Sequence, residues 1–269
     1  MLTDLDSLKS KLKATWMSGD YGHFATYMMP GAMEFFPTLG IKPGEKVLDV
    51  GCGAGQLSLP AARAGAIVTG VDIATNLLEQ AATRAQAEGL KIRFDEGDAE
   101  ALPYDAASFD LVFSFIGAMF APRPERVAAE LIRVCRMGGR IVMGSWTPQG
   151  FVGQMFKLHG TYVPPPPAMV PPVLWGDEAT VRERLNQGIV MLRVTPRKFP
   201  FRYPFPPAKV VDFFRTYYGP SNRAFAALAP ERQQGLEDEL IRLWSDHNQA
   251  TDGTTYVVAE YLEVVALRG

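Results

Sequence analysis

The sequence predicts an α/β fold: a doubly wound, mostly parallel sheet of seven strands, with a helical cap before it and an insertion after the fifth strand. Three observations carry this. From Val47 to Trp146 short β-rich runs alternate with helix-length amphipathic stretches, the pattern of right-handed βαβ crossovers around a buried sheet. The first run opens into three alternate glycines, Gly51, Gly53 and Gly55, ahead of a helical stretch. Two further β-rich stretches, 188–203 and 254–268, follow that alternation and supply the last two strands.

Residues 1–45 read as two short helices that cap the sheet or a ligand pocket, with apolar positions at Leu5, Leu8, Leu12 and Trp16, then at Phe24, Tyr27, Met28, Phe35 and Phe36. Residues 46–146 hold the core strands, at 46–50, 67–72, 92–96, 109–114 and 140–145, and helices at 55–64, 74–88 and 125–134 rich in Ala, Leu and Glu. A turn at Met137, Gly138 and Gly139 precedes the fifth strand. Residues 147–187 form the insertion. Its segment Val163 to Pro172 has six prolines in ten residues, which no ordinary helix or interior strand accommodates, so it reads as a rigid surface loop or lid over an acceptor region. Residues 188–269 complete the sheet, with helices at 207–218 and 224–248 between the last two strands.

The 269 residues, 47% of them hydrophobic, suffice for one large core. A formal net charge of -2 gives no positive field to draw the chain to nucleic acid or anionic lipid. Cys52 and Cys135 lack CxxC spacing and any Cys/His cluster, so neither a disulfide framework nor a metal site is expected. The N-terminus has no signal-peptide core and no uncharged apolar run reaches membrane-spanning length. A cytoplasmic protein is expected, and nothing in the pattern speaks to oligomeric state.

The glycine run follows Asp49 and Val50 at the end of an apolar strand, where glycines permit a tight turn and close approach of backbone to ligand. Alone it could be only a tight strand-to-helix turn. Asp72 ends the second strand, 21 residues beyond Gly51, where a carboxylate can accept both hydroxyls of a ribose. It can equally cap the next helix. Asp98, just past the third strand, is either a third acid at the same sheet edge or a simple turn residue.

A nicotinamide enzyme would share the glycine turn and the ribose acid. Here the glycines are spaced GxGxG rather than GxGxxG, Asp49 precedes them, and Asp98 follows the third strand. With VLDVGCGAG, VTGVDIA, GDAEALPYDAASFDLVFS and ELIRVCRMGGRIVMGSW in that order, residues 40 to 148 resemble class I methyltransferases that use S-adenosylmethionine (SAM), close to the type 11, quinone-biosynthesis-like group. One departure is Met137, where the group usually has proline. The resemblance implies the Rossmann-like methyltransferase fold with an antiparallel last strand. It further implies that Asp49, Gly51, Gly53 and Gly55 form the loop around the methionine portion of SAM, Asp72 holds the ribose and Ile73 packs on adenine. Asp98 and the backbone of Ala99 would meet the adenine, Ser114 or Phe115 would line the floor near the sulfonium, and Tyr21 would close over the cofactor.

Methyl transfer is a displacement at carbon, so positioning in a dry pocket is the main demand, and a base is needed only if the acceptor must lose a proton. Of the three histidines, His159 is the candidate base, because it lies between the fifth strand and the proline segment. The bland alternative is an ordinary packed histidine. Apolar residues from 146 to 217, Trp146, Met155, Phe156 and Phe214 among them, could wall an acceptor pocket or simply fill the core. After the fourth strand stand Ser114, Phe115, Ile116 and Gly117, not an Asn-Pro-Pro-Tyr type motif, so nucleobase and glutamine nitrogens are disfavoured as acceptors. A small-molecule acceptor methylated at oxygen, carbon or nitrogen is expected. The rival readings are a nicotinamide-dependent oxidoreductase and a non-catalytic SAM-binding protein.

Overall fold

The structure, a computed structural model, describes residues 4–166 and 169–269. Seven strands, β1 (Lys46–Val50), β2 (Ile67–Asp72), β3 (Arg93–Glu96), β4 (Phe109–Phe115), β5 (Cys135–Trp146), β6 (Ile189–Tyr203) and β7 (Thr255–Arg268), form one sheet in the order β3-β2-β1-β4-β5-β7-β6. β1 to β5 pair in parallel, and β7 runs antiparallel to both β5 and β6. β1 is central, and every residue of it after Lys46 is buried, because helices cover both faces of the parallel part.

Around the sheet run α1 (Asp4–Trp16), α2 (Tyr21–Phe24), α3 (Met29–Phe35), α4 (Ser58–Arg63), α5 (Thr75–Ala87), α6 (Pro124–Val134), α7 (Phe151–Tyr162), α8 (Glu178–Arg184), α9 (Pro207–Tyr217), α10 (Gly219–Ala226) and α11 (Pro230–His247). Three expectations change in detail. The N-terminal cap has three α-helices rather than two, since Gly19 turns the chain at φ +71° and Asp20 caps α2 by accepting from the His23 amide. The helix expected over 224–248 is broken: Pro230 lacks an amide donor and takes the first turn of a new helix instead of extending the old one. The turn at Met137–Gly139 lies inside β5, where its register against β4 shifts between Phe109 and Leu111 and Gly138 takes φ +70°.

The proline run has neither helix nor strand from Pro164 to Pro166 or from Met169 to Pro171, while Pro167 and Ala168 lie outside the described residues. No described helix is long and apolar enough to cross a membrane.

An aromatic layer packs the N-terminal cap against the C-terminal half. Phe24 stacks on Tyr218 with centroids 4.9 Å apart, Phe214 meets Trp244 at 5.2 Å, and Trp244 meets Phe201 at 5.6 Å. Such pairs add roughly 0.5–1.5 kcal/mol each beyond area burial. The Asp20 amide donates to Tyr217 O, and a Cβ on Gly219 would sit 2.2 Å from Thr15 O, so only glycine lets the end of α1 lie this close. The cap is thereby held over the carboxyl edge of the sheet.

Candidate active site

Strand order reverses at β1, which has β2 on one side and β4 on the other, and the crossovers leave in opposite directions. The crevice this opens at the carboxyl ends of the strands is where doubly wound sheets bind ligands. It holds a cavity of about 590 Å³, walled by the glycine loop, the ends of β2 and β3, the turn after β4 and the inner side of α1.

The glycine loop is shaped by backbone contact. Gly51 adopts φ +72° and Gly53 φ +53°, a region that side chains disfavour. A Cβ on Gly51 would also lie 2.7 Å from the Gly117 Cα, so the loop and the turn after β4 touch backbone to backbone. Beside that turn Ile116, a β-branched residue, is held at φ +55° with its amide donating to Gly144 O. This is a strained conformation of the kind that concentrates at binding sites, and Ile116 lines the cavity.

Two acids dominate the electrostatics. Asp49 is buried and accepts a 2.6 Å hydrogen bond from the Ser58 hydroxyl. Burial, with the charge of Asp72 adding to it, pushes its carboxyl up to about 7 despite that bond. Asp72 accepts from the Gly53 amide at 2.8 Å and the Ala74 amide at 2.9 Å, so the helix-capping role and a ligand-facing role coexist. Burial raises its pKa as well, against the backbone hydrogen bonds that lower it. Neither carboxylate has an ion-pair partner among the described residues. An anionic pyrophosphate is repelled from such a site, whereas a ligand bringing ammonium and sulfonium charge and ribose hydroxyls satisfies it.

At the other end Asp98 accepts from the Glu100 amide and pairs with Lys9 of α1, while Lys13 pairs with Glu96. α1 therefore lies across this end of the cavity. Tyr21 also lines the cavity, its ring passing beside Gly53, and burial followed by the charge of Asp72 raises its phenol pKa.

The structure brings Tyr21, Asp49, Gly51, Gly53, Asp72, Ile73, Asp98, Ala99 and Phe115 to one cavity. Three expected site residues stand outside it. Gly55, at φ +79°, packs under the loop against Leu59. Ser114 is buried and structural: its hydroxyl donates to Val50 O at 2.7 Å and accepts from the Ala118 amide at 2.8 Å, tying the turn after β4 to β1. His159 does not reach the cavity. It is partly buried on α7, its Nδ1 is bonded to Met155 O at 2.8 Å and its Nε2 to the Ser221 hydroxyl at 3.1 Å, and desolvation lowers its pKa against the Met155 bond. It packs between α7 and α10, away from the cavity lining.

With this geometry in view, a family model described as a methyltransferase domain, type 11, matches residues 48–143. The uncharacterized protein Rv1405c of Mycobacterium tuberculosis is 41% identical over 249 residues, 89% of this chain and 90% of that one. Among solved structures, the YcgJ protein of Bacillus subtilis superposes with a TM-score of 0.59 at 18% identity, over 89% of this chain and 98% of that one. Phosphoethanolamine N-methyltransferase 2 of Haemonchus contortus in complex with SAM superposes at 0.55 and 18%, over 88% and 52%. The chain belongs to the class I SAM-dependent methyltransferases. SAM is its cofactor, and the uncompensated acids of the glycine-loop end fit it.

Sequence reasoning about this methyltransferase missed several lining residues. Trp16, Met28 and Phe120 form much of the apolar wall with Phe115 and Ile116, whereas the sequence offered residues from 146 to 217 as either pocket wall or core. Of the latter, Trp146, Met155 and Phe214 line a small adjoining pocket of about 20 Å³ that shares Trp16, Tyr21, Met28, Ile116 and Phe120 with the main cavity. Among the described residues none from 147 to 187 lines the main cavity. Gln56 was also missed, although its place directly after the third glycine was a cue.

Proposed function

We propose that this methyltransferase transfers the methyl group of SAM to a small, apolar acceptor, with Asp49 and Asp72 holding the charged and hydroxylated parts of the cofactor. The observation that carries the reading is a buried Asp49 and a partly buried Asp72 facing one cavity, with no ion-pair partner for either among the described residues. Bound there, SAM supplies an electrophilic methyl on a positively charged sulfur. The chain holds the ribose at Asp72, keeps the glycine-loop end negative, and excludes water with Trp16, Met28, Phe115, Ile116 and Phe120.

Among the described residues the wall of Trp16, Met28, Phe115, Ile116 and Phe120 offers no acid, histidine or lysine, and the phenol of Tyr21 stays protonated because its pKa is raised. That favours an acceptor whose reacting atom attacks without giving up a proton inside the site, or one that arrives already ionised. We place the reaction in the cytoplasm on the strength of the cysteine usage alone.

The test is thermal stabilisation by SAM and S-adenosylhomocysteine, beside NAD and NADP, in the wild type and Asp72→Ala. A ligand at a hundred times its dissociation constant adds about 2.7 kcal/mol, a readable melting shift. Stabilisation by SAM and its product that Asp72→Ala abolishes supports the assignment, and methyl transfer to a panel of apolar acceptors then follows. Stabilisation by a nicotinamide cofactor alone would overturn it.

A further inference from the structure

The amino-acid end of SAM is a zwitterion. Asp49 suits its ammonium, but a carboxylate brought beside two acids that lack an ion-pair partner needs a donor of its own. The lysines that line the cavity are already committed at the far end, Lys9 to Asp98 and Glu100, and Lys13 to Glu96. The Cys52 thiol donates to Gly53 O, and burial raises its pKa well above the usual thiol value, followed by the charges of Asp49 and Asp72.

Beside the glycine loop, Gln56 differs from these. It lines the cavity, and its side-chain nitrogen is buried without any hydrogen-bond partner. Its Oε1 lies 3.1 Å from where a Cβ on Gly53 would be, and the Tyr21 ring lies 3.8 Å from the same point, so the two side chains bracket the face of Gly53. A buried amide nitrogen with nothing to donate to costs free energy, and the terminal amide torsion is broad and close to two-fold. A half-turn about that torsion aims the NH2 group into the cavity and draws the oxygen inward.

We infer that Gln56 turns its amide to donate to the carboxylate of SAM, and so acts as the positioning residue for the amino-acid end of the cofactor. This rests on the SAM-binding reading above. With Gln56 meeting the carboxylate, Asp49 is left to face the ammonium.

The experiment compares two probes by calorimetric titration, S-adenosylhomocysteine, which has the amino-acid end, and 5′-methylthioadenosine, which lacks it. In Gln56→Ala the affinity for S-adenosylhomocysteine falls about tenfold to a hundredfold, the range for a hydrogen bond to a charged group, while that for methylthioadenosine stays within about twofold. Gln56→Glu, equal in length, loses more of the first affinity than Gln56→Ala and none of the second. Unliganded melting temperatures show that both variants fold. Equal weakening of the two probes, or of neither, overturns the role of Gln56, as does a carboxylate-dependent loss confined to Tyr21→Phe. A wild type that binds neither probe sinks the SAM assignment itself, an outcome distinct from failure of the Gln56 variants alone.

Discussion

Lys9 of α1 spans from the N-terminal cap to Asp98 beyond β3, and its ammonium also pairs with Glu100. The Glu100 carboxylate is fully buried and is held on its other side by the Arg123 side chain and amide. Removing Lys9 leaves that buried acid with one cationic partner. Lys9→Ala is expected to lower stability by about 1–3 kcal/mol. Lys13→Ala is expected to cost less than about 1 kcal/mol, because its partner Glu96 is more than half exposed. Chemical denaturation of the two variants checks the ranking, and equal losses would refute it.

Asp49 sets a pH dependence with opposite signs for stability and for binding. Its carboxyl titrates at about 7 in the folded chain against 3.8 for an ordinary aspartate, chiefly through burial. Between those values the folded state holds a proton that the unfolded state has released, so this group makes the unliganded protein less stable as pH rises from about 4 to 7. Binding runs the other way, since a cationic cofactor prefers the ionised acid, and SAM affinity should rise through about pH 7. Asp49→Asn is expected to be more stable than the wild type at pH 8 without ligand, to bind S-adenosylhomocysteine more weakly, and to lose the pH dependence near 7. Titrations at pH 6 and pH 8 decide it.

His159 bridges Met155 and Ser221 and keeps α7 against α10. His159→Ala should therefore lose roughly 1–3 kcal/mol of stability while S-adenosylhomocysteine affinity stays within about twofold. Its pKa lies below the ordinary 6.5, so the folded state resists the proton that an unfolded chain accepts. The stability tied to this group is present above pH 6.5 and is lost as pH falls below it. A pH–stability curve whose acid limb is unchanged in His159→Ala would contradict this.

The sheet was legible because its central parallel strands, β1 and β4, are short, largely buried apolar runs. β1 and β2 begin and end where their patterns do, and Asp72 and Asp98 fall at the expected edge. Local pattern could not reveal contacts made across the fold. Nothing near Lys9 or Trp16 in the chain distinguishes an amphipathic surface helix from one lying across a cavity. His159 misled because its position in the chain, between β5 and the prolines, says nothing of which way α7 turns its side. Ser114 misled for a related reason, since in a strand successive residues face opposite sides, and here Phe115 takes the cavity while Ser114 ties two strand ends together.

Gly117 gives the sharpest test of the glycine-loop geometry, because contact and backbone strain can be separated there. Gly117 is not among the positive-φ residues, so an alanine there meets no left-handed strain. A Cβ there would nevertheless sit 2.7 Å from Gly51 O and 2.9 Å from Val50 O, and this backbone cannot yield without moving the loop. Gly40 is the converse case, at φ +55° with nothing within 4 Å of an added Cβ. Gly40→Ala should cost about 1–2 kcal/mol of backbone strain and leave cofactor affinity untouched. Gly117→Ala should displace Gly51 and lose S-adenosylhomocysteine binding by tenfold or more, even at temperatures where it remains folded. If Gly117→Ala bound the product as tightly as Gly40→Ala does, the backbone contact between Gly51 and Gly117 would not be what shapes the methionine end of the site.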